Sequence, residues 1–265
     1  MLHLGVICLL PEMFKALDYG ITGRAIQQKR VQIDYWNPRD WTQRPYRKVD
    51  DKPYGGGPGM VMMYEPLSKA IVHARQNMPE QTRTIYLSPQ GRTLVQEDLN
   101  QLATKQQPLL FVAGRYEGID ERIIDQHIDE EWSVGDFVLS GGELAAMILI
   151  DGIVRLLPGA LGHLGSAQED SYMNGLLDHP HYTRPEVVNG LAVPEVLLKG
   201  DHQAIARWRR QQSLGKTWLK RPDLLEQRVL TQSDQQLLEA YQALLAIERS
   251  NKHQGLKQTP NEEQP

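Results

Sequence analysis

Three stretches of the sequence run from apolar residues into a turn rich in glycine, serine or proline: YLSPQG (86–91), VAGRYEGID (112–120) and VGDFVLSGG (134–142). Glycine lets a ligand approach the backbone closely, so peptide N–H and C=O groups there can hydrogen-bond an adenine edge or a ribose. Strand ends of this kind meet at the carboxyl edge of a parallel sheet, where open α/β sheets bind ligands. Each turn alone is compatible with an ordinary strand-to-helix connection, but the three together favour one pocket for a nucleoside without a triphosphate.

Several familiar chemistries do not fit the sequence. The segment GGGPGM has Met60 where a dinucleotide-binding turn needs its last glycine, and the GKT that begins at Gly215 has Arg210 where a phosphate loop needs its first. No Gly-x-Ser-x-Gly motif provides a hydrolase nucleophile. His179 and His181 in DHPHY could in principle hold a metal, but the chain has one cysteine and no helical histidine pair. We therefore interpret them as polar loop histidines.

Composition and cysteine content limit the compartment and the class of protein. The 265 residues are 40% hydrophobic with a formal net charge of −4, enough for one large domain or two small ones. The single cysteine, Cys8, lies in the apolar run LGVICLL, so we expect a core residue and a reducing, cytoplasmic compartment. No apolar stretch reaches the roughly 18 residues of a membrane span, and the N-terminus lacks a secretory pattern. We expect no membrane partner.

A basic stretch with interleaved tryptophans lies near the C-terminal end of the chain. It contains Trp208 and Trp218 and no acidic residue, a composition suited to phosphate contacts and base stacking. The alternative is a solvated basic helix face whose tryptophans fill a small core, which we favour for the tryptophans. A negative whole-chain charge therefore remains compatible with RNA binding. The basic residues are Arg207, Arg209, Arg210, Lys216, Lys220 and Arg221.

The order of apolar runs predicts the elements that position these groups. Runs of strand length, which are LHLGVICLL, VQIDYW, RTIYLS, PLLFVAG and EEWSVGDFVL, alternate with helix-like segments over residues 1–160. Such alternation is typical of an α/β domain whose parallel sheet is covered by helices. Residues 161–178 are irregular and polar, which indicates a linker between domains.

The remainder of the chain predicts a second, smaller domain. Residues 179–250 contain two helical patterns, for which Asp201 and Ser233 are suitable N-caps. The segment 251–265 is too polar to bury a core, and we expect it to be disordered.

Nine motifs, taken in order, carry a family resemblance over nearly the whole chain, up to about Asn251. The sequence resembles the bacterial tRNA (guanine-N1)-methyltransferases of the SPOUT superfamily. That resemblance implies an α/β fold with a C-terminal trefoil knot and a small helical tRNA-binding domain, an obligate homodimer, S-adenosylmethionine as methyl donor, and a tRNA anticodon stem-loop as partner. The motifs are DKPYGGGPGMVM, YLSPQGR, AGRYEGIDER, SVGDFVLSGGE, DGIVRLLPG, EDSY, GLLDHPHYTRPEV, VPEVLLKGDH and RWRRQQSLGKTWLKRPDLL.

The resemblance also implies which residues surround the donor, held bent in the knotted pocket. Glu117 would meet its methionine end or a magnesium ion, because the family is associated with a divalent-metal requirement; a solvated or salt-bridged carboxylate is the alternative. The implied residues are Tyr86, Leu87, Ser88, Pro89, Gly114, Tyr116, Glu117, Val134, Gly135, Asp136, Phe137, Val138, Leu139, Gly141 and Gly142.

Methylation of guanine N1 needs two further groups. The nitrogen carries a hydrogen that a general base must remove, and negative charge then spreads onto O6, where a guanidinium can stabilise it. By resemblance, Asp170 in EDSY is the base and Arg155 in GIVRLLPG is the guanidinium; a solvated linker carboxylate and a charge at a helix end are the alternatives. In the family, one subunit's linker closes over the donor of the other, which implies two composite sites per dimer.

The implied target is the guanosine immediately 3′ of the anticodon when another guanosine precedes it, an unstacked loop base of the kind that proteins recognise in RNA. The glycine-rich segment KVDDKPYGGGPGMVM is expected to be mobile and to order over donor or tRNA. Two rival hypotheses stay open: a non-catalytic RNA-binding module that retains the fold, and a SPOUT enzyme that methylates another atom. The presence of Asp170 and of the glycines after Leu139 argues against the first, and the motifs EDSY and HPHYTRPEV favour guanine N1 over another atom.

Overall fold

The computed structural model describes residues 1–161, 170–226 and 228–255. The chain divides into two compact units, with the boundary between Ala167 and Gln168. This boundary falls within the predicted linker 161–178, of which residues 162–169 lie outside the described part. The two units are described separately below.

The first unit is built on a five-stranded, wholly parallel sheet, which confirms the predicted α/β class. The strands are β1 (Leu2–Ile7), β2 (Val31–Trp36), β3 (Asp50–Asp51), β4 (Val61–Met62), β5 (Arg83–Thr93), β6 (Leu109–Ala113) and β7 (Glu130–Ser133). In the sheet order β2-β1-β6-β5-β7, the later strand β6 lies between β1 and β5. A two-stranded antiparallel pair, β3 and β4, precedes the first long helix.

Helices cover the sheet and bury its central strands. All five residues of β6 are buried, as expected for a central parallel strand that is apolar on both sides. Cys8 is fully buried, which confirms the predicted core position, and burial raises the pKa of its thiol to about 12. The helices are α1 (Gly20–Gln27), α2 (Tyr64–Asn77), α3 (Gln96–Lys105), α4 (Glu121–His127) and α5 (Glu143–Val154), with 3-10 turns at Pro11–Asp18, Pro38–Trp41 and Pro45–Arg47.

The strands β5 and β7 are irregular at the edge of the sheet that carries the glycine-rich turns. β7 ends at Ser133, so residues 134–142 form a loop rather than the continuation of a strand. β5 pairs with Trp132 of β7 first through Leu87 and again through Arg92, so residues 88–91 bulge out of the ladder. A side chain at Gly91 would overlap the backbone at Trp132, so only glycine allows the chain to pass there.

The described part of the second unit contains a short β-hairpin, a 3-10 turn at Glu195–Leu197 and three α-helices: β8 (Val187–Val188), β9 (Leu191–Ala192), α6 (His202–Lys220), α7 (Asp223–Glu226) and α8 (Gln232–Gly255). Asp201 caps α6 as predicted, since its carboxylate accepts from the amides of residues 203 and 204. The predicted cap Ser233 is wrong, because α8 begins one residue earlier and Thr231 Oγ1 accepts from the Asp234 amide. α8 also runs to Gly255, five residues into the segment expected to be disordered; residues 256–265 lie outside the described part.

The core of the second unit is formed by leucines rather than by tryptophans. Leu176, Leu214 and Leu237 are its buried residues. Trp218 is 37% exposed and Trp208 is half-buried. The interpretation that the tryptophans fill this core is therefore wrong, because the leucines occupy the faces along which α6 and α8 pack.

No helix in the described ranges of the chain is long and apolar enough to cross a membrane.

Candidate active site

A cavity of about 360 Å³ opens where the ends of β5, β6 and β7 meet. The three glycine-rich turns form its walls together, as the sequence predicts from their positions after strands. The cavity volume lies within the range of small-molecule sites. Among the predicted donor residues, those on its walls are Tyr86, Leu87, Ser88, Pro89, Gly114, Tyr116, Glu117, Val134, Gly135, Phe137, Val138, Leu139, Gly141 and Gly142.

One predicted donor residue does not join this wall, and several that sequence reasoning missed do. Asp136 is exposed on the 134–142 loop and is not among the lining residues. The additional lining residues come from the same three turns, from α4 and from the start of α5. They are Gln90, Arg115, Gly118, Ile119, Glu121, Ile124, Trp132, Ser133 and Ala145.

Two glycines bring the β6 turn and the α5 terminus together. The amide of Gly142, at the N-cap of α5, donates to the carbonyl of Gly114 at 2.8 Å. A Cβ on Gly142 would lie 2.8 Å from Ala113 Cα, and one on Gly114 would lie 3.0 Å from the ring of Tyr86. The cavity wall therefore depends on direct backbone-to-backbone approach, which only glycine permits.

An ion pair beneath the cavity connects the same two segments. Glu143, the first residue of α5, is fully buried, and both of its carboxylate oxygens accept from Arg115 Nε, at 2.9 and 3.1 Å. Arg115 also forms a β-bridge with Gly141. A buried charge is tolerated only with such a partner, so this pair fixes the β6 turn against the glycine pair. Its sequence signal is a single acidic residue that opens the apolar run LAAMILI.

The cavity combines a buried phenol with exposed apolar side chains. Tyr86 is 7% exposed, and burial raises the pKa of its hydroxyl to about 12, so the ring remains neutral. Phe137 and Val138 on the 134–142 loop are exposed by 53% and 85%, and Tyr116 is also exposed. Apolar side chains clustered at the mouth of a cavity are typical of a binding site.

The glycine-rich segment that follows β3 is attached to the β6 turn at one end. The amide of Glu117 donates to the carbonyl of Met60 at 2.9 Å, and the amide of Met62 donates to the carbonyl of Gly118 at 2.9 Å. The preceding Gly56 has a positive φ, and no other atom lies within 4 Å of the point that a Cβ on this residue would occupy. The segment is thus anchored beside the cavity at its C-terminal end and unsupported at its tip.

Glu117, the predicted magnesium residue, lies on this wall and is exposed. Within the described ranges, the one group of three potential metal ligands is formed by other residues, in the second unit. A single exposed carboxylate does not fit a divalent cation by itself, because such ions take several oxygen ligands.

The two predicted catalytic residues belong to different units. Arg155 is the C-cap of α5, and its amide donates to the carbonyl of Asp151. α5 has 12 residues and begins at the cavity, so Arg155 lies about 18 Å along the helix from that end. Asp170 opens the described part of the second unit, where its carbonyl accepts from the amide of Met173.

The predicted RNA-binding residues lie on α6 and at its C-terminal end, and they are not equivalent. Arg210 donates to both carboxylate oxygens of Asp234 at 2.8 and 2.7 Å, and Arg221 does the same to Asp223 at 2.9 and 2.7 Å. Arg207, Arg209 and Lys220 are exposed, and Lys216 is half-buried. Arg210 and Arg221 therefore hold carboxylates of the second unit in bidentate pairs.

Comparison with known proteins assigns this architecture to a family. Residues 2–227 match the family described as tRNA (guanine-1)-methyltransferase TrmD. The chain belongs to this family. It is an enzyme, a tRNA (guanine-N1)-methyltransferase.

Individual relatives agree over almost their whole length. A tRNA (guanine-N(1)-)-methyltransferase of Legionella pneumophila (strain Paris) is 71% identical over 237 residues, which cover 89% of this chain and 95% of the relative. The corresponding protein of Nitrosococcus oceani is 59% identical, covering 89% and 94%. That of Pseudoalteromonas atlantica is 55% identical over 254 residues, covering 96% and 95%. The resemblance identified from the motifs is confirmed.

S-adenosylmethionine as methyl donor follows from the family, and the residues present at the strand ends fit it. A cavity of about 360 Å³ with backbone exposed at its glycines offers hydrogen bonds to an adenine and a ribose. The buried Tyr86 and the exposed Phe137 provide apolar surface for the same groups.

Proposed function

We propose that this enzyme transfers a methyl group from S-adenosylmethionine to N1 of the guanosine immediately 3′ of the anticodon, when another guanosine precedes it. The observation that supports this most is the cavity formed by three glycine-bearing strand ends in a chain of this family. The donor, when bound, supplies an electrophilic methyl group on a sulfonium. The proposed fold includes the trefoil knot of the SPOUT superfamily, formed by the segments around β5 and β7 and the 134–142 loop.

In the proposed reaction, Asp170 takes the proton from N1 as that nitrogen forms its bond to the methyl carbon. The carbon–sulfur bond breaks at the same time, and its electron pair remains on the departing sulfur. Charge that develops on O6 is stabilised by the guanidinium of Arg155, through hydrogen bonding that strengthens in a site shielded from water.

The position of Arg155 supports a dimer with composite sites. It lies about 18 Å along α5 from the donor cavity, too far for a side chain of that protomer to reach the transferred methyl group. A second copy would supply both Arg155 and the linker with Asp170. The outward-facing Leu144 and Ile148 of α5, exposed by 44% and 49%, provide apolar surface for such an interface.

Exposed basic residues of α6 are proposed to contact tRNA phosphates. Arg207, Arg209 and Lys220 lie on the exposed surface of the helix, whereas Arg210 and Arg221 hold carboxylates and act mainly through the structure of the second unit. Lys216 is half-buried, so only its ammonium end is expected to reach a phosphate.

The first test is methyl transfer from labelled donor to two tRNA transcripts that differ only in guanosine or adenosine 3′ of the anticodon. Wild type should label N1 of that guanosine only. Asp170→Asn should lose the chemical step while binding donor and tRNA, whereas the exposed Asp125→Asn should behave as wild type. Equal label on both transcripts would place the target elsewhere, and no label despite tight binding of both substrates would favour a non-catalytic module.

Mixed dimers test the composite site. Asp170→Asn would be co-assembled with a variant whose donor cavity is blocked, each inactive alone. Random assembly makes half of the dimers mixed. If Asp170 acts on the donor of the other protomer, each mixed dimer has one intact site of two, which gives about a quarter of wild-type activity. Complementation would be absent if Asp170 served the cavity of its own protomer.

A further inference from the structure

Two histidines and an aspartate that the proposed reaction does not use lie together in the second unit. The potential ligand atoms of Asp178, His179 and His181 all lie within 4.8 Å of one another. His181 Nε2 is 2.7 Å from Asp178 Oδ2. His179 lies in a loop, as the sequence predicts, but is only 8% exposed.

The hydrogen bonds of His179 define which ring nitrogen carries the proton. Its Nδ1 lies 3.1 Å from the carbonyl oxygen of Pro180, which can only accept, so Nδ1 must be the donor. In the neutral ring, Nε2 is then left with a lone pair. Nε2 is buried and has no hydrogen-bond partner among the residues that the structure describes.

The buried lone pair faces a carboxylate. His179 Nε2 is 3.7 Å from Asp178 Oδ1, beyond the length of a hydrogen bond between them. Two acceptors that face one another inside a protein repel unless a positive charge, either a proton on the ring or a metal ion, lies between them. Bonds of about 2.0–2.2 Å from one ion to an imidazole nitrogen and a carboxylate oxygen bridge a separation of this size.

The chemistry of the three side chains indicates the class of ion. The carboxylate of Asp178 is held in place by the amide of His179, which donates to its Oδ1 at 2.6 Å. Two imidazoles and one carboxylate suit zinc-like transition metals, whereas magnesium prefers oxygen ligands alone. The side chain of His181 is 68% exposed, which leaves an open side for ion entry and a fourth ligand.

We propose that Asp178, His179 and His181 bind one divalent transition-metal ion of the zinc class. The ion fixes the segment that carries Asp170. The amide of Asp178 donates to Ser171 Oγ at 3.0 Å, and the His179 ring packs 6.4 Å from the ring of Trp208 on α6. Metal binding therefore holds this segment against α6 and steadies the start of the second unit.

The test uses the full-length protein, stripped with a chelator and then titrated with Zn²⁺ by calorimetry and with Co²⁺ by visible absorption. We expect one ion per chain and the d–d bands of cobalt bound by nitrogen and oxygen ligands. His179→Gln should weaken Zn²⁺ binding by at least about 100-fold, because it removes a direct ligand. His181→Ala, at a position whose side chain is 68% exposed, should weaken it as well.

The matched control is His127→Gln. His127 also has a buried Nε2 without a hydrogen-bond partner in the described part of the chain, but it belongs to no group of three ligands there. It should bind Zn²⁺ as wild type does. Two results would overturn the proposal: equal Zn²⁺ affinity in wild type and both cluster variants, or no stoichiometric binding together with a doubly protonated His179 ring by NMR. Neither measurement depends on methyl transfer, so the proposed function stands or fails separately.

Discussion

Substitution of Gly142 by alanine tests whether direct backbone contact shapes the donor cavity. Gly142 has an ordinary helical conformation, with φ −77° and ψ −5°, so an alanine there carries no conformational strain. Its Cβ would instead lie 2.8 Å from Ala113 Cα and 3.1 Å from Gly114 N, whereas ordinary contacts begin at 3.4 Å. The α5 terminus must therefore move from β6 by about 0.6 Å or more.

Because the obstructing atoms are backbone, the strain cannot be relieved by a rotamer change. Overpacking of this kind costs about 1–3 kcal/mol of unfolding free energy. The shift also stretches the 2.8 Å hydrogen bond from the Gly142 amide to Gly114 and displaces the peptide groups that line the cavity. Loss of one such hydrogen bond to the donor corresponds to about a tenfold weaker Kd.

The assay is donor binding by calorimetry together with urea unfolding, and the control is Gly152→Ala at the other end of the same helix. There the new Cβ would lie 2.7 Å from a methyl of Leu99, a flexible side chain that can move aside. Alanine also favours a helix interior by about 1 kcal/mol, so the control should show little net loss and an unchanged Kd. A Gly142→Ala protein with wild-type Kd and stability would refute the argument.

Two further predictions concern ion pairs. Arg115→Met leaves the buried carboxylate of Glu143 without its partner and should lower the unfolding free energy measured in urea by about 3 kcal/mol. The double variant Arg115→Met with Glu143→Leu should recover most of that stability. If the stability losses of the two substitutions simply added, the coupling would be contradicted. The hydrogen bonds from Arg210 lower the pKa of the Asp234 carboxyl in the folded protein. Their contribution to stability is therefore complete above the pKa of the unfolded state, and it disappears as the pH falls through the lower pKa of the folded state. Asp234→Asn should therefore unfold at lower urea than wild type at pH 7 and approach it in acid. Asp223→Asn, at a side chain that is 50% exposed, should change the urea midpoint little at either pH. A difference between Asp234→Asn and wild type that persists below both pKa values would show another origin.

The sheet could be predicted from the sequence because burial on both faces leaves uninterrupted apolar runs. β2 and β6 are found within the predicted segments, and the order of strands and helices follows the apolar pattern. The pattern does not indicate the short helix α4, since the segment between the β6 turn and β7 has few apolar residues. The apolar pattern also extends the strand β7 too far. The apolar side chains Phe137 and Val138 of VGDFVL lie exposed at the cavity mouth and are not buried in the sheet.

The donor cavity can be predicted more fully than the interactions that hold it. Glycines after strands mark close backbone approach, and the three turns that carry them do form the walls of one cavity. The partner of Glu143 lies 28 residues earlier in the chain, and no local pattern connects the two. The burial of His179 escapes prediction for a similar reason: it depends on Trp208, which is adjacent only in the folded second unit.

The unsupported tip of the glycine-rich segment has an evolutionary consequence. Tyr54 is fully exposed, and a Cβ added at any of the three glycines beside it would meet no neighbouring atom, so this stretch does not pack against the folded first unit. Selection can act on Tyr54 only through molecules that it touches during turnover. Because the tip lies within DKPYGGGPGMVM, a motif of the family resemblance, its sequence is explained by what it contacts during turnover and not by packing, while the hydrogen bonds at Met60 and Met62 hold its base beside the donor cavity.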